Sequence, residues 1–292
     1  MITKFLQYIQ YRKNYSSYTV LSYQHDIEEF QQFLLSHYQL PVEKAEADHI
    51  RDWLVNLRQQ KLSVTSINRK LSSLKSFYKY LLRTEVIDSN PADTLTSLKK
   101  PQRLPTFFKE SEMDAALEEN PFETSDDFPA TRDKIVLEIF YQTGCRRSEL
   151  IQLKDGDFNF FSLTLRIRGK GNKERLVPFS ASLKEKIEHY IKVRNQAVGN
   201  TPYFIVTDKG EQAYPNLIYR IVHNKMGEVS SLTKRSPHVI RHTFASELLN
   251  NGADINAVKE LLGHASLAAT EVYTHTSFEQ LKESYKKALP RK

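Results

Sequence analysis

A single cysteine, Cys145, is all the thiol chemistry that the 292-residue sequence holds. One thiol cannot close a disulfide within the chain, which excludes the sulfur framework of a small secreted domain. Long apolar runs are missing as well: no stretch approaches the roughly 20 residues that a membrane-spanning helix needs. The opening residues, MITKFLQYIQYRKN, are interrupted by charge and carry no long apolar core, so they do not read as a signal peptide. These absences predict a cytoplasmic protein. β-type alternation is also scarce, confined to one short region, and most of the chain reads as helix.

What is present is an ordinary soluble composition, 40% hydrophobic and 26% charged, with a formal charge of +7. The pI of about 9.2 leans toward a polyanionic partner, although charge alone does not separate nucleic-acid binders from other basic proteins. The length suggests two domains.

The first third is a run of amphipathic helices. Phe5, Leu6 and Ile9 mark a short one; Val20, Leu21, Ile27, Phe30, Phe33 and Leu34 mark a second, with Ser16 and Ser17 as caps. Ile50, Trp53, Leu54 and Leu57 mark a third. The fourth, from near Thr65, puts Ile67, Leu71, Leu74 and Leu81 on one side and Arg69, Ser72, Ser76 and Lys79 on the other. That polar stripe is either a solvated face or a face laid against DNA. In the second case the basic side chains would take phosphates, and the serines and Asn68 would lie near base edges.

A basic segment with two prolines, Lys99-Lys100-Pro-Gln-Arg103-Leu-Pro105, follows. Proline forbids a continuous helix here, and Lys99, Lys100 and Arg103 suit a strand of chain passing close to phosphates. The domain boundary is placed on it, giving 1–97, a 98–106 linker and 107–292. The second domain is expected to open with a Lys109–Leu117 helix. A strongly apolar helix through Ile135–Tyr141 ends at Thr143-Gly144, and a new helix begins at Cys145. Leu163–Gly169 alternates and is answered by Arg175–Phe179 across a Gly/Asn tip, a β-hairpin to which Tyr203–Val206 could add a third strand. The tip, GKGNKE, lacks the spacing of a phosphate-binding P-loop.

The chain is organised around its C-terminal stretch, Ser236–Thr276. It reads as three helices: about His238 to Leu249, then Asp254 to Gly263, then one capped by Ser266 that carries Tyr273. His238 and Arg241 are three residues apart and share a helix face, His264 follows Gly263, and Tyr273 comes nine residues later. His238 and His242 have the spacing of a helical zinc pair. However, Val239 stands where a metalloprotease motif needs Glu, and no cysteine or carboxylate cluster completes a site. No metal and no cofactor is expected.

The order His238-x-x-Arg241, Leu262-Gly263-His264, then Tyr273 resembles the active-site signature of the tyrosine recombinases, the family of phage integrases and Xer proteins. Thr143-Gly-Cys-Arg146-Arg-Ser-Glu149-Leu resembles the segment supplying that family's first active-site arginine, and Gly169-Lys170-Gly-Asn-Lys173-Glu its mobile β-hairpin. The string Ile67–Leu81 resembles the last helix of the family's core-binding domain. The resemblance implies a mostly α fold with a small antiparallel β-sheet. A helical N-terminal core-binding (SAM-like) domain would clamp DNA, followed by an α+β catalytic domain.

It also implies a set of roles. Tyr273 would be the nucleophile, giving a 3′-phosphotyrosine and a free 5′-hydroxyl. Arg146 and Arg241 would stabilise charge on the phosphate, with His264 as a further donor. His238 would accept the tyrosine proton, and Lys170, in preference to Lys173, would protonate the departing 5′ oxygen. The DNA-binding side chains would be Asn68, Arg69, Ser72, Ser76, Lys79, Lys99, Lys100 and Arg103. Expected partners are double-stranded DNA with a short inverted-repeat site, the chain itself or a paralogue in a cyclic tetramer on two duplexes, and an activating DNA translocase.

The tail, with Phe278, Leu281 and Tyr285 at helical spacing, would pack on its own domain or dock on a neighbouring subunit. Because the chain starts directly with the helical clamp, it is most similar to the compact Xer type, which would act at the nucleoid to resolve chromosome or plasmid dimers. An integrase of a mobile element is the alternative, and a non-cleaving DNA-binding protein of the same fold a further one.

Overall fold

The computed structural model describes residues 1–99, 106–118, 127–169 and 173–263. The chain separates into two compact units, Met1–Arg103 and Leu104–Lys292.

The first unit is helical. Helix α1 (Ile2–Gln7) runs into a π-helical turn at Tyr8–Arg12, and α2 (Ser17–Tyr38), α3 (Ala47–Gln59) and α4 (Val64–Arg83) follow. Serine caps set two of the starts: the Ser16 hydroxyl accepts from the Thr19 amide at 3.3 Å and Ser63 from Ser66 at 3.1 Å. Phe5, Ile27, Phe30, Trp53, Leu57, Leu71, Leu74 and Phe77 form the core that the helical spacing predicts. An ionic knot that the spacing did not show ties α2 to α4. Asp26, fully buried, receives both Arg69 and Lys70, and Lys70 also reaches Glu29 at 2.5 Å.

The second unit is built around α6 (Phe128–Thr143), whose residues from Ile135 to Thr143 are all buried. Helices α5 (Glu110–Leu117), α8 (Ala181–Val198), α9 (Pro215–Val229) and α10 (Pro237–Asn250) pack against it. Two short helices complete the described part, α7 (Arg147–Ile151) and α11 (Ile255–Leu262), the latter capped by the Asp254 carboxylate. The sheet is three-stranded and antiparallel in the order β1 (Phe158–Asn159), β2 (Thr164–Arg168), β3 (Glu174–Pro178). Strands β2 and β3 run in register from Thr164 opposite Pro178 to Arg168 opposite Glu174. The hairpin neck closes with the Gly169 amide on the Lys173 carbonyl at 2.8 Å.

The mostly helical fold with one small antiparallel sheet is as the sequence predicts, with two corrections. Tyr203–Val206 is not the third strand, since that place belongs to Phe158–Asn159. Phe204, Ile205 and Val206 are wholly buried, and Phe204 packs on Phe158 and Tyr190. Their apolar run serves the core from a loop, with the Phe204 amide on the Leu153 carbonyl and Val206 in a single bridge with Gln212. The helix expected from Cys145 starts at Arg147, so Arg146 is its N-cap.

Cys145 itself is packed in the core, and burial pushes its thiol up to about 12. At neutral pH it is therefore no nucleophile.

Candidate active site

Helices α6 and α11 end the same way, on a glycine in the left-handed region, Gly144 at φ 57° and Gly263 at φ 62°. Such endings leave last-turn carbonyls without intrahelical partners. Arginines fill the vacancies. Arg241, near the middle of α10 and 8% exposed, donates from Nη1 to the Gly144 carbonyl at 2.5 Å and from Nη2 to the Leu262 carbonyl at 2.6 Å. Arg146 donates from Nη2 to the Gly263 carbonyl at 3.0 Å. Both guanidiniums thus sit at the negative ends of helices, where cations are favoured. Gly144 is required twice over, because a Cβ there would also lie 2.4 Å from the Phe244 ring.

Glu149 holds this arrangement from below. Its carboxylate accepts from the Arg146 amide at 2.8 Å, from Arg146 Nη1 at 2.8 Å, and from Arg175 Nη1 and Nη2 at 3.0 and 2.7 Å. Burial alone would raise its pKa. The hydrogen bonds and charge of Arg175, joined by Arg146, instead hold it down at about 2. The Arg146–Glu149 pair is therefore one part of a buried network and not an isolated surface ion pair.

Arg241 is pulled the other way. Burial, and then the nearby positive charge of Arg146, lower it to about 10. It remains protonated at neutral pH. Two adjacent cations that weaken each other are relieved by an anion placed between them, and planar guanidiniums match the geometry of a phosphate.

His238 lies one turn before Arg241 on the exposed side of α10. Partial burial lowers its pKa, and the charges of Arg147, Arg241, His242 and Lys234 add to the effect. At neutral pH the imidazole is neutral and able to accept a proton. His242 is exposed one turn further along the same helix. Among the described residues no group of three or more His, Cys, Asp or Glu is placed to hold a metal ion.

Lys170, His264 and Tyr273 lie outside the described residues, as do Lys100, Arg103, the helix expected from Ser266 and the tail helix. Their attachment points are described: Gly169 and Lys173 at the hairpin neck, and Gly263 under the Arg146 guanidinium.

In the first unit, Arg69, Ser72 and Lys79 are exposed along one side of α4 and Ser76 is half-buried there; Lys99 is also exposed. Arg69 is held by Asp26, and the Ser72 hydroxyl donates to the Asn68 carbonyl at 2.9 Å. Asn68 does not belong with them. It is 7% exposed, and its amide clasps the Leu98 backbone, Nδ2 to the carbonyl and Oδ1 from the N–H, both at 2.8 Å. A primary amide carries the complementary donor and acceptor of a peptide group. Asn68 therefore fastens residues after α4 to that helix and is not available to base edges.

Glu149 has the orienting place beside Arg146 that the motif suggests, and the residue of this cluster that the sequence does not single out is Arg175. Arg175 reads in sequence as one of several basic residues of a hairpin. Only its burial distinguishes it.

The model of the phage integrase family matches residues 108–280, and that of the phage integrase N-terminal SAM-like domain matches residues 2–85. This chain is a tyrosine recombinase of the phage integrase family. Its relatives include Tyrosine recombinase XerC of Anoxybacillus flavithermus, 37% identical over 98% of this chain and 96% of the relative. Tyrosine recombinase XerC of Oceanobacillus iheyensis is 38% identical over 99% and 96%. Among solved structures, the recombinase fold matches XerH site-specific recombinase bound to palindromic difH substrate, with a TM-score of 0.72 and 20% identity over 97% of this chain and 84% of that one. The Tn1549 transposon integrase in complex with transposon right end DNA matches with a TM-score of 0.68 and 21% identity over 98% of each chain. As a tyrosine recombinase, the chain is an enzyme that breaks and rejoins DNA strands.

Proposed function

We propose that this recombinase is of the Xer type and exchanges strands between two copies of a short inverted-repeat DNA site, resolving chromosome or plasmid dimers. The observation that carries the reading is the pairing of Arg146 and Arg241 on the adjacent carbonyls of Gly263 and Leu262. Two guanidiniums brought to one helix end support the binding of a phosphate there, in a chain that supplies a tyrosine ten residues after Gly263.

In this reading the Tyr273 oxygen attacks the scissile phosphorus, forming a phosphotyrosine bond as the bond to the 5′ oxygen breaks. The tyrosine proton passes to His238, and Lys170 delivers a proton to the departing 5′ oxygen. Arg146, Arg241 and His264 hold the non-bridging oxygens as negative charge builds. Attack by a 5′-hydroxyl from a second duplex reverses each step and joins new partners, passing through a Holliday junction. The chemistry conserves the phosphodiester energy and assigns no step to a metal.

Residues 1–97 are taken as the clamp on one side of the duplex, 98–106 as a basic linker and 107–292 as the catalytic domain. The exposed Arg69, Ser72, Lys79 and Lys99 and the half-buried Ser76, with Lys100 and Arg103, are assigned to DNA. The working assembly is a cyclic tetramer on two duplexes, of this chain alone or with a paralogue, switched on by a DNA translocase and acting at the nucleoid.

The test is a plasmid carrying two directly repeated sites selected from the source genome by binding to the purified chain. Conversion of one circle into two, without added divalent metal and dependent on Tyr273, is the expected result. Binding with no strand exchange in the presence of any paralogue and translocase from the same genome would contradict it.

A further inference from the structure

Arg175 is almost fully buried, with a side chain 6% exposed, and it makes no contact that the chemistry above requires. Its fork is divided between two elements that the chemistry does use. Nη1 and Nη2 grip the Glu149 carboxylate in a bidentate pair at 3.0 and 2.7 Å. Nε donates to the Leu261 carbonyl at 2.7 Å. Its own backbone belongs to β3, two residues from Lys173 and the hairpin neck. One guanidinium therefore joins the hairpin, α7 and the end of α11.

Each of those elements delivers a different part of the site. Glu149 is the carboxylate that also holds the Arg146 amide and guanidinium. The carbonyls after Leu261, those of Leu262 and Gly263, are the seats of Arg241 and Arg146. Beyond Gly263 the chain leads to His264, and before Lys173 the hairpin leads back to Lys170. The fit is close: a Cβ on Gly263 would lie 3.1 Å from Arg175 Nη1.

We propose that Arg175 is the positioning residue of the active site, setting Arg146 through Glu149 and fixing the end of α11 against the hairpin so that the phosphate site is assembled before DNA arrives. The inference rests on the recombinase reading for its functional consequence, but its geometry is a property of the chain without DNA. A lysine in this place keeps the charge and loses the fork, because one ammonium cannot meet both carboxylate oxygens and a carbonyl in a fixed plane. A misplacement of about 1 Å in a reacting constellation costs on the order of 100-fold in rate.

The test compares the full-length chain with Arg175→Lys, Arg175→Met and Glu149→Gln on the nicked duplex that the unaltered chain cleaves. Site affinity and single-turnover cleavage are measured separately. The expected result is affinity within about twofold of the unaltered chain and cleavage per folded molecule lowered roughly 100-fold in Arg175→Met. Arg175→Lys should fall between, and Glu149→Gln combined with Arg175→Met should be little worse than either alone.

Crystal structures of the unaltered and Arg175→Lys chains without DNA give the second readout, in which the Arg146 guanidinium should leave the Gly263 carbonyl in the variant. Should Arg175→Met not fold, Arg175→Lys carries both measurements. Unchanged cleavage per folded molecule, or an Arg146 that stays in place, would overturn the proposal. A purely structural role would lower the melting temperature and reduce binding and cleavage together. If the unaltered chain cleaves no DNA, the recombinase reading fails, and the crystallographic comparison still decides the role of Arg175.

Discussion

Arg146 and Arg241 donate to consecutive carbonyls, those of Gly263 and Leu262, although one caps the start of α7 and the other stands within α10. The end of α11 is thus the template on which the two guanidiniums are brought side by side. Two structural needs are met at once, the orphan carbonyls of a helix end and the convergence of two cations.

The turn at Gly144 makes that convergence possible, and replacing it should break it. Gly144→Ala forces a Cβ into the left-handed region at φ 57° and against the Phe244 ring. The expected loss of stability is about 2–5 kcal/mol, from the backbone term and overpacking together. Urea denaturation of the variant against the parent chain measures it; an unchanged midpoint would refute the steric account.

Glu149 sets an acid limit. Its folded pKa of about 2 lies below its ordinary value of 4.5, so the native state binds its proton more weakly than the unfolded chain does. Its contribution is fully present above pH 4.5 and is lost as pH falls toward 2. The amount is about 3 kcal/mol. Glu149→Gln should be less stable at neutral pH and should show a shallower loss of stability across that window, read from denaturation midpoints at each pH.

Glu247 has the opposite sign. Burial raises its pKa to about 7, with the charges of Glu110 and Asp114 acting in the same direction against a hydrogen bond from Tyr141. Its contribution is present below its ordinary value of 4.5 and declines as pH rises through 7. Glu247→Gln should flatten the pH dependence of the melting temperature between those limits. A variant that retains the parent's slope would contradict the assignment.

Asn68 and Lys79 sit on the same helix and should behave differently. Asn68→Ala removes both bonds to Leu98 and should cost about 1–3 kcal/mol of stability. Lys79→Ala should leave stability unchanged, weaken binding to all DNA sequences alike and reduce the salt slope of binding by about 1. Parallel denaturation and salt titrations separate the two. A sequence-specific loss in Asn68→Ala, at unchanged stability, would restore it to the DNA face.

The contrast between those residues marks how far the sequence could be read. Periodicity placed α4 and its buried side because helical spacing is a local property, and the Gly144 and Gly263 endings were legible for the same reason. Asn68 was misplaced because its partner, Leu98, lies thirty residues away, and no local pattern encodes a clasp at that distance. Arg175 escapes notice for a related reason: a basic residue in a hairpin looks like surface chemistry until its burial is known. Tyr203–Val206 has the composition of a strand, but core packing in a loop demands the same composition.

The measurement that bears most directly on the central claim is covalent trapping. The full-length chain and its Tyr273→Phe variant are offered the selected site with a nick placed to release the 5′ fragment, in the presence of a chelator. A protein–DNA adduct that survives denaturation, carries the 3′ phosphate on Tyr273 by peptide mapping and is lost in the variant is the predicted result. An adduct that persists in Tyr273→Phe, or maps to another side chain, would contradict the account.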